Sequence, residues 1–173
     1  MPPKSETRLT FVLGGARSGK SQFAERIISA MAPPWHYMAT AQSYDDEMSA
    51  RIATHQARRG EGWVMHEAPL ELAQYLSAIP AGQPVLVDCL TLWLTNTLLA
   101  GHPVDKAIGE LLDVLAALPG PCFVVSNEVG LGIVPGNALA RQFRDHAGRL
   151  HQRVAALADR VVFMVAGLPM EVK

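Results

Sequence analysis

Only two cysteines occur among the 173 residues, Cys89 and Cys122, too few and too far apart for a disulfide framework or a C-x-x-C motif. That scarcity predicts a home in a reducing cytoplasm. The N-terminus lacks the basic, apolar and small-residue order of a signal peptide. No apolar run approaches the ~18 residues needed to cross a bilayer, because Arg, Asp, Gly or Pro interrupts each candidate. Dense basic tracts are missing too: 15 Lys and Arg stand against 16 Asp and Glu, for a formal charge of −1. A nucleic-acid binder that depends on phosphate-backbone attraction usually carries a basic face, so any phosphate handled here is expected to be small. His36, His66, His102, His146 and His151 show neither H-x-x-x-H nor H-E-x-x-H spacing and do not join the cysteines in a zinc pattern, so no protein-only metal site is expected. Serine hydrolase chemistry lacks its G-x-S-x-G elbow.

What is present suits a globular domain: 49% of residues are hydrophobic and 18% charged, and a chain of this length buries roughly 70% of its unfolded surface without staples. Residues 1–7 are polar and aperiodic, with Pro2 and Pro3, and read as a loose leader before one domain over 8–173. Short apolar runs at 9–13, 37–38, 85–87, 122–125 and 161–165 read as buried strands, with 64–66 a further candidate. Helical patterns lie at 22–30, 70–79 and 106–118. The clearest covers 138–158, where Leu139, Phe143, Ala147, Leu150, Val154 and Leu157 draw one apolar stripe behind Asn137 as N-cap. Continuous apolar strands alternating with helices predict an α/β three-layer domain of P-loop NTPase type, its mainly parallel sheet covered by helices on both faces.

Directly after the first strand, Gly14, Gly15, Ala16, Arg17, Ser18, Gly19, Lys20 and Ser21 match G-x-x-x-x-G-K-[ST] at every fixed position and lead into a helix. Glycines let the backbone N–H groups turn inward around an anion, and the helix N-terminus adds partial positive charge. Lys20 is expected to reach the β- and γ-phosphates of a nucleotide, and Ser21 to ligate Mg²⁺ brought with it. Asp88 ends the 85–87 strand, where a carboxylate either supports that Mg²⁺ or caps the next helix. The tract from Asn127 to Gly132 follows another strand, and is either a plain connecting loop or a contact to acceptor or Mg²⁺. Trp35, Trp63 and Trp93 are core, interface, or flat surfaces for a ligand.

Asp45, Asp46 and Glu47 read as a helix start, after which Met48, Ile52 and His55 fall within about 60° of one another. His55 is then either a packed histidine or a reactive one. Arg51, Arg58 and Arg59 flank it at helical spacing. Such cations keep an imidazole neutral and nucleophilic while holding an anion, as attack on a nucleotide phosphate requires; a solvated basic ridge is the other reading.

These residues together resemble one family, the bifunctional adenosylcobinamide kinase and adenosylcobinamide-phosphate guanylyltransferases of cobalamin biosynthesis. The resemblance spans nearly the whole chain: GGARSGKS at 14–21, MAT at 38–40, DDEM at 45–48, R-I-x-x-H ending at His55, DCLT at 88–91, and SNEVG-x-GIVP at 126–135, followed by LARQFRDHAGRLHQR. It implies phosphorylation of adenosylcobinamide by ATP or GTP, then transfer of GMP from GTP to that phosphate through a covalent histidine-GMP intermediate on His55, releasing pyrophosphate. It also implies a guanine-nucleotide site lined by Ala39, Thr40, Gln56, Ala57, Arg58, Arg59, Glu67 and Asp88, with Glu67 accepting from guanine N–H groups, and a homotrimer. Family members usually carry Glu where this chain has the shorter Asp88. Two other readings of the phosphate loop are a small-molecule kinase without nucleotidyl transfer and a nucleotide-binding regulatory module; both keep Lys20 essential and neither needs His55.

Overall fold

The computed structural model describes residues 7–42 and 60–173. Its strands are β1 (Leu9–Gly14), β2 (Trp35–Ala39), β3 (Trp63–Glu67), β4 (Val85–Asp88), β5 (Cys122–Asn127), β6 (Arg160–Val165) and β7 (Leu168–Glu171). The described helices are α1 (Lys20–Ile28), α2 (Leu72–Ser77), α3 (Leu90–Leu99), α4 (Val104–Ala117) and α5 (Ala138–Leu157). The strands form one sheet in the order β3-β2-β4-β5-β1-β6-β7. Every pairing is parallel except β6 with β7. This is the expected α/β layering, with an antiparallel edge strand added.

Alternation along each strand divides the core in two, because successive side chains point to opposite faces. Leu9, Phe11, Met38, Val85, Val87, Cys122 and Val124 face α2 to α5. Val12, Tyr37, Leu86, Phe123, Val125 and Val162 face Phe23, Ala24 and Ile28 of α1. Trp93 belongs to the first core, 2% exposed, with its indole N–H donating to Leu70 O at 3.0 Å.

α1 starts at Lys20, two residues earlier than its apolar pattern, because Gly19 at φ 93° turns the chain straight into the first helical turn. α2 is shorter than the 70–79 expectation. α5 matches its stripe, and the Asn137 side chain caps it by accepting the Ala140 N–H. α3 has no counterpart in the sequence pattern: LTLWLTNTLL buries residues on all sides and so shows no stripe. β7 has none either; it is four exposed residues containing Pro169, a composition suited only to an edge strand. No described helix is long and apolar enough to cross a membrane.

Candidate active site

The carboxyl ends of the strands bring the candidate residues to one edge of the sheet, where open α/β folds bind ligands. The register sets Ala39 opposite both Glu67 and Asp88, and Gly14 opposite Asn127 and Met164. Read across the strand order, the edge runs Glu67, Ala39, Asp88, Asn127, Gly14.

The phosphate loop leaves β1 at Gly14. A Cβ there would lie 2.7 Å from Ser18 Oγ and 2.8 Å from Met164 O, so only glycine fits. Arg17 and Gly19 both take positive φ, at 55° and 93°, and between them reverse the chain. Ala16 and Arg17 are exposed at the tip. The β6–β7 turn braces the loop from behind: Gly167 N–H donates to Ser18 O at 3.0 Å. Lys20 is 7% exposed, and its ammonium donates to Gly15 O and, at 3.5 Å, to Ser18 Oγ. Burial holds its pKa below the ordinary lysine value, opposed by Cys89 and Asp88 nearby. A phosphate anion arriving here would meet a cation already stripped of most of its water.

Across the loop, Ser21 Oγ donates to Asp88 Oδ2 at 2.7 Å, and the Tyr37 hydroxyl donates to the same oxygen at 2.9 Å. In the sequence Tyr37 shows only the pattern of a buried strand residue; it lies 51 positions from Asp88, and no spacing rule joins them. Asp88 does not cap α3, whose N-cap residue is Cys89. Among the described residues no group of three or more His, Cys, Asp or Glu is gathered as a metal cluster. The hydroxyl and carboxylate of Ser21 and Asp88 are hard oxygen donors of the kind Mg²⁺ takes together with phosphate oxygens.

Thr40 is fully buried, and its hydroxyl is spent on the main chain: it accepts from Cys89 N–H and donates to Cys89 O, both at 2.7 Å. Its carbonyl accepts from Asn96 Nδ2 at 2.8 Å. It ties β2 to the turn after Asp88. Cys89 has its thiol pushed up to about 11 by burial, then by Asp88, so it is not a nucleophile at neutral pH. Asn127 donates to Thr91 Oγ1 at 3.0 Å, and the Glu128 carboxylate accepts the Gly130 N–H. Both side chains are thus engaged within the fold. Ala39 is half-buried and Glu67 exposed at the end of the edge strand β3. The structure brings together Lys20, Ser21, Asp88 and Tyr37. His55, Gln56, Ala57, Arg58 and Arg59 lie outside the described residues.

Comparisons with known proteins bear on this arrangement. The family model described as cobinamide kinase / cobinamide phosphate guanyltransferase matches residues 10–172. The chain is 52% identical over 165 residues to the bifunctional adenosylcobalamin biosynthesis protein CobP of Pseudomonas aeruginosa, covering 94% of this chain and 95% of that one. It is 40% identical over 181 residues to the bifunctional adenosylcobalamin biosynthesis protein CobU of Salmonella typhimurium, covering 95% and 99%. In fold alone it is similar to the ATPase EscN of the enteropathogenic E. coli type III secretion system. That likeness has a TM-score of 0.55 at 12% identity and covers 92% of this chain and 43% of that one.

Proposed function

The chain belongs to the cobinamide kinase / cobinamide phosphate guanyltransferase family, and from that membership we propose how its residues carry the two reactions. It is a kinase and a guanylyltransferase of adenosylcobalamin biosynthesis. In the first reaction ATP or GTP phosphorylates the hydroxyl of adenosylcobinamide; in the second GMP passes from GTP to the new phosphate. The observation that carries the reading is the loop 14–21 with Lys20 buried inside it and Ser21 bonded to Asp88.

In nucleotidyl transfer, a ring nitrogen of His55 attacks the α-phosphorus of GTP, the α–β bridging P–O bond breaks, and pyrophosphate leaves. Charge grows on the departing β- and γ-phosphates, and Lys20 with the inward N–H groups of the loop stabilises it in place. An oxygen of adenosylcobinamide phosphate then attacks the same phosphorus, the P–N bond breaks, and the imidazole is restored. Arg51, Arg58 and Arg59 hold the phosphate and keep the ring neutral beforehand. Ala39, Gln56, Ala57, Arg58, Arg59 and Glu67 line the guanine nucleotide, with Glu67 accepting from the base. Thr40 lines the nucleotide beside Ala39, held in place by its hydroxyl's bonds to the Cys89 peptide. Mg²⁺ bound with the nucleotide would be held by Ser21 and Asp88 and would neutralise phosphate charge. Residues 8–173 act as one domain in the cytoplasm, and the family resemblance implies a trimer.

The half-reactions test the roles separately. Lys20→Ala lowers kcat of both by on the order of a hundredfold or more. His55→Asn stops GMP transfer to adenosylcobinamide phosphate while phosphorylation of adenosylcobinamide continues. Continued GMP transfer in His55→Asn would refute the covalent route.

A further inference from the structure

The two reactions place opposite demands on a single phosphate loop. In GMP transfer the departing pyrophosphate stays in the loop, and the transferred group carries the nucleoside toward the acceptor. In phosphorylation the departing group itself carries the nucleoside, which must then lie on the far side of the loop from the acceptor. A nucleoside seat on each flank would let one loop be read from both ends of the triphosphate without repositioning the acceptor.

The residues assigned to the guanine nucleotide, Glu67, Ala39 and Asp88, end β3, β2 and β4, all on one side of β1. On the other side, where β6 and β7 lie, the structure has an open cleft of about 290 Å³ lined by Gly19, Gln22, Phe23, Arg26 and Gly167. That volume is of the order of a small-molecule site. Its opening begins at Gly19 and Gln22, the residues on either side of Lys20 and Ser21, so a nucleoside joined to phosphates in the loop reaches it without a gap. The walls suit a purine and its sugar. Phe23 is 6% exposed and backs the exposed Arg26, whose guanidinium carbon lies 5.8 Å from its ring centre and offers a planar cation on which a base can stack. Gln22 is exposed and offers an amide that both donates and accepts, which serves adenine and guanine alike. Gly19 and Gly167 leave backbone bare. A Cβ at Gly19 would stand 3.2 Å from Gly167 Cα, so this closeness depends on the absence of side chains. Arg160 also lies over Phe23, at 5.9 Å, but its guanidinium is held by both carboxylate oxygens of Glu171 at 2.8 Å. Arg26 is the cation exposed at the mouth.

We propose that this cleft seats the base and ribose of the nucleoside triphosphate that donates its γ-phosphoryl group in the kinase step, distinct from the seat used by GTP in GMP transfer. The inference rests on the assignment of loop 14–21 as the phosphate site. In that step the acceptor hydroxyl oxygen bonds to the γ-phosphorus and the β–γ bridging bond breaks. Nucleoside diphosphate departs into the cleft side, and the hydroxyl proton passes to water.

The test is photolabelling of the whole protein with 8-azidoadenosine triphosphate, followed by mapping of the labelled peptide, beside steady-state kinetics of Arg26→Ala. Label on residues 22–26 or 166–168, lost in Lys20→Ala, is expected. Arg26→Ala is expected to raise the KM for ATP in phosphorylation at least fivefold more than the KM for GTP in GMP transfer. Label on residues 39–42 or 63–67 instead, or KM values that rise equally or not at all, overturns the second seat and leaves the phosphate loop standing. Label displaced by saturating adenosylcobinamide would give the cleft to the acceptor's adenosyl group, and also overturns it. Wild-type protein that takes no label dependent on Lys20 overturns the phosphate loop as well.

Discussion

Gly14 and Gly15 stand side by side in the loop and differ sharply in what surrounds them. A methyl group on Gly14 would press on Ser18 Oγ and on the Met164 carbonyl, whereas nothing lies within 4 Å of the position a Cβ would take on Gly15. Gly14→Ala is therefore expected to cost about 1–3 kcal/mol by overpacking, and Gly15→Ala little. Urea denaturation of the two variants measures this, and equal stabilities would contradict the packing described. Both glycines were legible as loop members, because the motif fixes residue types at set spacings and each type answers a need of phosphate binding. Asp88 was legible too, from its place at the end of an apolar strand. Tyr37 was not, since its bond to Asp88 exists only once β2 and β4 pair in register. The direction of Thr40 was likewise hidden. Its sequence neighbours suggest a residue at the mouth of the site, but the Cys89 peptide captures its hydroxyl from beneath.

α5 shows which elements a sequence discloses. Twenty residues with a regular stripe and a capping Asn are readable without a structure, because one face is buried and the other wet. α3 is immersed and β7 is short and exposed, and each lacks the contrast between faces on which periodicity depends. α5 also contributes a group that the stripe does not announce. His151 is 8% exposed and shares a 2.8 Å hydrogen bond with Ser126 of β5, with Phe11 of β1 packed 5.7 Å away. Burial depresses its pKa below the ordinary histidine value, against a smaller opposing pull from Glu128. The folded chain then binds fewer protons at this site than the unfolded chain, so stability is present above the unfolded pKa of about 6.5 and is lost as pH falls below it. Unfolding free energy measured by urea between about pH 7.5 and about pH 5 should decline toward acid. The decline should be shallower in His151→Leu, and an unchanged slope would show that the bond between α5 and β5 does not titrate with folding.

At the scale of the molecule, the strand order does what no single residue can: it sets the phosphate loop between two flanks of one sheet edge, with Asp88, Ala39 and Glu67 on one and the Gly19–Gly167 cleft on the other. The layering was legible from the alternation of apolar strands and helices, whereas strand order, the crossover of β4 and β5 between β2 and β1, and the β6–β7 brace arise from long-range pairing that a linear pattern does not encode. The family's bifunctionality matches such an edge, where one cradle of amides can hold the part of a triphosphate that leaves while different groups present the part that stays. GMP transfer as proposed depends on the covalent relay on His55. Its most direct measurement is incubation with GTP labelled at the α-phosphate, without corrinoid, followed by denaturation and digestion. An acid-labile, alkali-stable label is expected on the peptide containing His55, absent in both His55→Asn and Lys20→Ala. Label retained by His55→Asn, or wild-type protein that transfers GMP without ever becoming labelled, would contradict the relay.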